Sequence, residues 1–114
     1  MHLLYIVFQP GNNSGVTEIY CEGELSYREE FAVTDKNLER TFLKELSKAL
    51  ESYPFKQDDD LVILANELIV KHAEIVFYEN GSVPYAKQWM KVMQQLKFFK
   101  LFPRFHSGSK YLNH

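Results

Sequence analysis

Leu3-Leu-Tyr-Ile-Val-Phe8 is an unbroken apolar run of six residues. It is far short of the ~20 apolar residues that span a bilayer, and it lacks the polar positions of an amphipathic helix or a one-faced strand. Such a run is expected of a strand covered on both faces, placed centrally in a sheet. The chain is therefore committed to a layered sheet core. With 114 residues, 46% of them hydrophobic, it can bury one core without disulfides or a structural metal, but not two. We read residues 1–114 as a single domain.

The segments that follow extend that sheet. Pro10-Gly-Asn-Asn-Ser-Gly15 is dense in turn formers, and Val16 to Glu22 reads as a second strand with Ile19 and Cys21 on one face. Glu22-Gly-Glu24 marks a reversal. In Leu25 to Val33, Leu25, Tyr27, Phe31 and Val33 alternate with Ser26, Arg28, Glu30 and Ala32, the period of a strand with one wet face. Thr34 can then cap a helix beginning at Asp35. In it Leu38, Phe42, Leu46, Ala49, Leu50 and Tyr53 recur at helical spacing until Pro54. Asp58-Asp-Asp60 is a solvated turn before Leu61-Val-Ile-Leu-Ala65, a buried strand that the helix carries back onto the same sheet.

Beyond Asn66 the period is mixed. Leu68, Ile69, His72, Ala73 and Val76 share a helix face, while Ile75-Val-Phe-Tyr78 alone would pass for a strand; helix is the reading we adopt. Asn80-Gly81 is a turn, and Pro84 opens a helix whose apolar face holds Tyr85, Trp89, Val92, Met93 and Leu96. Phe98 to Phe105 reads as a final strand, confined to a sheet edge by Pro103. Ser107 to His114 has no terminal-helix pattern.

Cysteine and charge limit the chemistry. Cys21 is the single cysteine, which excludes an internal disulfide and a Cys-Cys zinc motif. We read it as a small core residue; as a nucleophile it would need His2, His72, His106 or His114, and no local sequence supports that pairing. With no signal peptide or membrane span, the protein reads as cytoplasmic. The net charge of −2 conceals an asymmetry. Residues 1–79 carry all fifteen acids and seven bases, a net of −8, whereas residues 80–114 carry six bases and no acid. Such polarity suits a nucleic-acid surface or a basic segment packed on an acidic body.

The order β-β-β-α-β-α-α-β resembles the α/β ribonuclease H fold, in its type-1 and reverse-transcriptase-like branch, with a mixed sheet of three antiparallel strands plus crossover strands flanked by helices. Pro10 to Gly15 resembles the family's Gly-rich turn, and Thr34-Asp-Lys-Asn-Leu-Glu39 is similar to its Thr-Asn-Asn-x-Ala-Glu helix start. Leu61 to Val70 resembles the strand that ends in Asp-Ser before an apolar helix. Leu101-Phe-Pro-Arg-Phe-His106 is similar to the late strand that meets a Pro-Arg segment. The resemblance implies two divalent ions held by four carboxylates. Here the first strand carries no acid, the strand-end aspartate falls on Asn66, and the final acid would lie in a helix beyond His114.

Of the family carboxylates only Glu39 is matched, so the resemblance implies a pseudoenzyme. Magnesium or manganese enters only in a residual nuclease, in which Glu67 would join Glu39; otherwise no cofactor is expected. Glu39 falls inside the apolar stripe, between Leu46 and Leu50 on the helical wheel, so its carboxylate should face the sheet. It is read either as a metal ligand or, the reading we adopt, as an early-helix acid favoured by the dipole and reaching out past its neighbours. His72, on a half-apolar face, reads as a satisfied core histidine.

The resemblance also implies a nucleic-acid role for the lysine face of the late helix. Lys87, Lys91 and Lys97, with Lys100 and Arg104 beyond, would neutralise phosphates of an RNA/DNA hybrid or duplex. The alternative is a solvated helix face. Tyr27 or Tyr111 could stack on bases. A different kind of function is a protein-interaction or homodimerisation domain, in which the edge strand and the apolar tail pair with another protein or with a second copy in a homodimer.

Overall fold

The computed structural model describes residues 1–9 and 13–107. Among the described residues five strands form one mixed sheet: β1 (His2–Gln9), β2 (Ser14–Cys21), β3 (Glu24–Ala32), β4 (Leu61–Ala65) and β5 (Arg104–Ser107). Their spatial order is β3-β2-β1-β4-β5. The first three run antiparallel, and β4 and β5 add in parallel beside β1. The apolar opening run is therefore the middle strand, as its composition predicts.

Local chemistry sets the hairpins. Glu22 and Gly23 both adopt positive φ, 52° and 83°, giving the two-residue loop whose twist matches its flanking strands. Gly15 is required for space: a β carbon there would lie 2.5 Å from the Phe31 ring and 2.8 Å from the Val7 carbonyl oxygen.

Helices α1 (Leu38–Ser52), α2 (Glu67–Glu74) and α3 (Ala86–Leu96) complete the described elements, with a π-helical turn, Ile75–Glu79, after α2. All contribute to one core. Leu4, Ile6, Ile19, Leu61, Ile63 and Ala65 of the sheet pack in it with Phe42, Leu46, Ile69, Val76, Trp89 and Val92. The other face of the sheet is less covered. Val62 and Leu64 are buried there, but Leu3, Tyr5 and Tyr20 are only half-buried and border a cavity of about 470 Å³. The Tyr5 hydroxyl donates to Glu18 Oε1 at 2.5 Å and its ring stacks on Tyr20. The expected double cover of β1 is thus uneven.

Several boundaries differ from those the sequence predicts. The α1 cap is Asn37, whose Oδ1 accepts the Arg40 N–H at 3.0 Å, and not Thr34. Asp35 cannot open the helix because its carboxylate accepts from the Asn37 N–H and the Arg40 guanidinium, which turns the chain first. Helix α3 begins after Pro84, because Tyr85 is left-handed with φ 60°. Residues 98 and 99 close the end of α3 through N–H bonds to Gln95 and Leu96, so β5 starts only at Arg104, after Pro103. Ile75 to Tyr78 is helical, in the wide π form.

Strand β5 is an edge, as predicted. Cys21 is part-exposed at the end of β2 and outside the core, because a strand end leaves its side chain only partly covered. Among the described residues no helix is long and apolar enough to cross a membrane. Readings that rest on Pro10 to Asn12, Lys110, Tyr111 and His114 fall outside the described residues.

Candidate nucleic-acid interface and a buried acidic junction

Glu39 is the second residue of α1, and the helical stripe turns it inward, leaving it 8% exposed. Both carboxylate oxygens lie 2.8 Å from His72 Nδ1 on α2, and Oε2 also accepts the Trp89 indole N–H of α3 at 2.9 Å. Trp89 is fully buried, and its N–H needs an acceptor once water is excluded. One side chain therefore joins three helices. His72 is a satisfied, mostly buried histidine, as read from the sequence.

The other matched positions lie apart. Asn66 caps α2, its Oδ1 accepting the Ile69 N–H at 2.9 Å. Glu67 is exposed at the first position of α2, and no hydrogen bond or ion pair joins it to Glu39. Among the described residues no three His, Cys, Asp or Glu side chains converge as a metal site. The donor set does not fit a pair of divalent ions. Glu39 is held by two N–H donors, and Asn66 is neutral and spent on a cap. Asp58 to Asp60 form the expected turn: Asp59 accepts the Lys56 N–H, and Asp60 faces Arg104.

Lys87, Lys97 and Lys100 are exposed. Lys91 is exposed with its Nζ 3.5 Å from Glu51, and Arg104 lies 3.6 Å from Asp60. Two of the five are thus partly offset by acids of the amino-terminal part. Tyr27 is part-buried: its hydroxyl donates to Glu29 Oε2 at 2.5 Å and its ring meets Tyr53 edge-on. It is not the exposed stacking platform the sequence suggests.

Sequence reasoning missed a second group of cations. Arg40, Lys44 and Lys48 follow each other at one-turn spacing on α1, and they border the same groove as Lys91 of α3. The spacing was available as a signal, but the acidic total of residues 1–79 hid it. Asp35 pairs with Arg40, and that guanidinium holds its carboxyl below the usual range. The Lys48 ammonium likewise lowers Glu29. Glu45, buried on the same helix, is pushed up by loss of water.

No protein-family model matches the sequence, and no curated protein matches it. Solved structures do. One is LC11-RNase H1 in complex with an RNA/DNA hybrid, matched with a TM-score of 0.70 at 17% identity over 99% of this chain and 90% of that one. Another is RNase H1 from the halophilic archaeon Halobacterium salinarum NRC-1, with a TM-score of 0.67 at 12% identity over 96% and 87%. The chain has a ribonuclease H-like fold.

Proposed function

We propose that residues 1–114 form a single cytoplasmic domain, a non-catalytic ribonuclease H-like module that binds nucleic acid through its basic carboxyl-terminal third. The observation that carries the non-catalytic part is the direction of Glu39, whose carboxylate is committed to His72 and Trp89 inside the protein. The binding part is supported by likeness to an RNase H1 solved with an RNA/DNA hybrid, together with the absence of acids after Glu79.

In this reading Lys87, Lys91, Lys97, Lys100 and Arg104 neutralise phosphates and release counterions. Binding is then strong at low salt and indifferent to base sequence. Anisotropy titration of a labelled hybrid tests it. Lys87→Glu with Lys91→Glu should weaken binding by more than about tenfold at low salt and flatten its salt dependence. A wild-type chain that binds neither hybrid nor duplex at low salt refutes the binding reading. Hybrid cleavage with Mn²⁺ that disappears in Glu39→Gln refutes the non-catalytic one.

A further inference from the structure

Helices α1 and α3 pack side by side and leave between them a groove of about 460 Å³. Its rim carries Arg40, Lys44 and Lys48 from α1 and Gln88 and Lys91 from α3. Asp35 and Glu51 also border it, and each is already engaged: Asp35 with Arg40, Glu51 with Lys91 and the Gln95 amide. Lys48 is paired with Glu29 of β3. Among the described residues Lys44 has no carboxylate in ion-pair contact, so its ammonium is not held in a direct pair there.

The groove also contains a buried donor. Ser47 lines it and is only 6% exposed, and among the described residues its Oγ has no hydrogen-bond partner. A buried hydroxyl without a partner is unfavourable, a penalty that a bound acceptor removes. The groove therefore offers an anion the ammonium of Lys44, which is in no direct pair, beside the paired Lys91, an amide and a hydroxyl. An anion with several oxygens suits that set, since each oxygen can accept from a different donor.

We infer that the α1–α3 groove binds a phosphate group, with Lys44 and Lys91 supplying charge and Ser47 Oγ a directed hydrogen bond. The identity of the carrier rests on the nucleic-acid reading proposed above: the phosphate belongs to the backbone of a bound strand, and α1 adds to the lysines of α3. Free phosphate has the same chemistry, and the experiment separates the two.

The test uses the full chain in two arms. In the first, inorganic phosphate is titrated while backbone amide resonances are followed; those of residues 44, 47 and 91 should move, and the response should vanish in Lys44→Glu. In the second, affinity for a labelled RNA/DNA hybrid should fall about tenfold in Lys44→Glu, with the slope of log K against log salt reduced by about 1. Ser47→Ala should weaken binding about threefold with no change of slope, because it removes a hydrogen bond and no charge. It also keeps the test open should the lysine variant fold poorly.

A phosphate response in the groove, with hybrid affinity untouched by either substitution, supports the site with free phosphate as its ligand. If the wild type binds no hybrid, the nucleic-acid reading falls and the phosphate arm alone decides the groove. If Lys97→Glu weakens hybrid binding while Lys44→Glu and Ser47→Ala do not, and phosphate moves no amide in the groove, the groove is overturned and the broader reading stands.

Discussion

The two faces of α1 carry charge for opposite purposes. On the inner face Glu39 is surrounded by protein and bonded to donors from α2 and α3. On the outer face, starting at the next residue, Arg40, Lys44 and Lys48 face water along the groove beside α3. A buried carboxylate is tolerated only while its partners stay in place, and removing one leaves a polar group unpaired at large cost. Exposed cations contribute little to folding, and their value lies in what they can meet. The comparison teaches that the role of a charge on this helix is set by solvent access and not by its position in the sequence.

The largest expected effect tests the inner face. Glu39→Ala should destabilise the fold by about 3 kcal/mol, read by urea unfolding, because it strands the Trp89 indole and the His72 ring. A stability equal to or above that of the wild type would show Glu39 to be a solvent-facing acid and would erase the contrast. Trp89→Phe, which removes a single N–H from the same junction, should cost about 1–2 kcal/mol. Measured with Glu39→Ala in a double-mutant cycle, the two losses should be strongly non-additive.

A third substitution sharpens the boundary between the faces. Burial holds the Glu45 carboxyl above its ordinary value of 4.5. As pH rises from there, the unfolded chain loses this proton first, so stability falls until the folded group has ionised too. Glu45→Gln should therefore stabilise the fold at pH 7, by less than about 1 kcal/mol, with the gain shrinking below pH 4.5. A loss of stability at pH 7 would count against a desolvated Glu45. The smallest effect belongs to the outer face: Lys44→Met should change stability by no more than about 0.5 kcal/mol, even if ligand binding suffers. A larger loss would make Lys44 part of the scaffold.

The fold was legible wherever side-chain period alone decides. Leu3 to Phe8, the alternation after Leu25 and the stripe from Leu38 to Tyr53 each fit a single element, and the meander, α1 and β4 follow from them. Boundaries were less legible because capping is a local competition. Thr34, Asp35 and Asn37 can all cap a helix, and the Asp35–Arg40 pair settles the matter in favour of Asn37. Ile75 to Tyr78 stayed ambiguous because a short apolar run satisfies both periods, and the chain resolves it as a π turn whose Val76 reaches the core.

The site was less legible still. The wheel turned Glu39 inward, but the expectation that its carboxylate reaches out past its neighbours fails, because its partners lie 33 and 50 residues further along the chain. The basic stripe of α1 was visible as a spacing and lost in a tally that summed it with the acids of other elements.

By itself the sequence determined a ribonuclease H-like order of elements around an apolar central strand, because hydrophobic period acts within a few residues. It also determined that β1 carries no acid and that Asn66 stands at the end of β4. Only the tertiary structure decided that Glu39 bonds to His72 and Trp89, and that Arg40, Lys44 and Lys48 meet Lys91 across a groove. The reason is physical: solvent access and hydrogen-bond partners are properties of packed helices, and no single segment carries them.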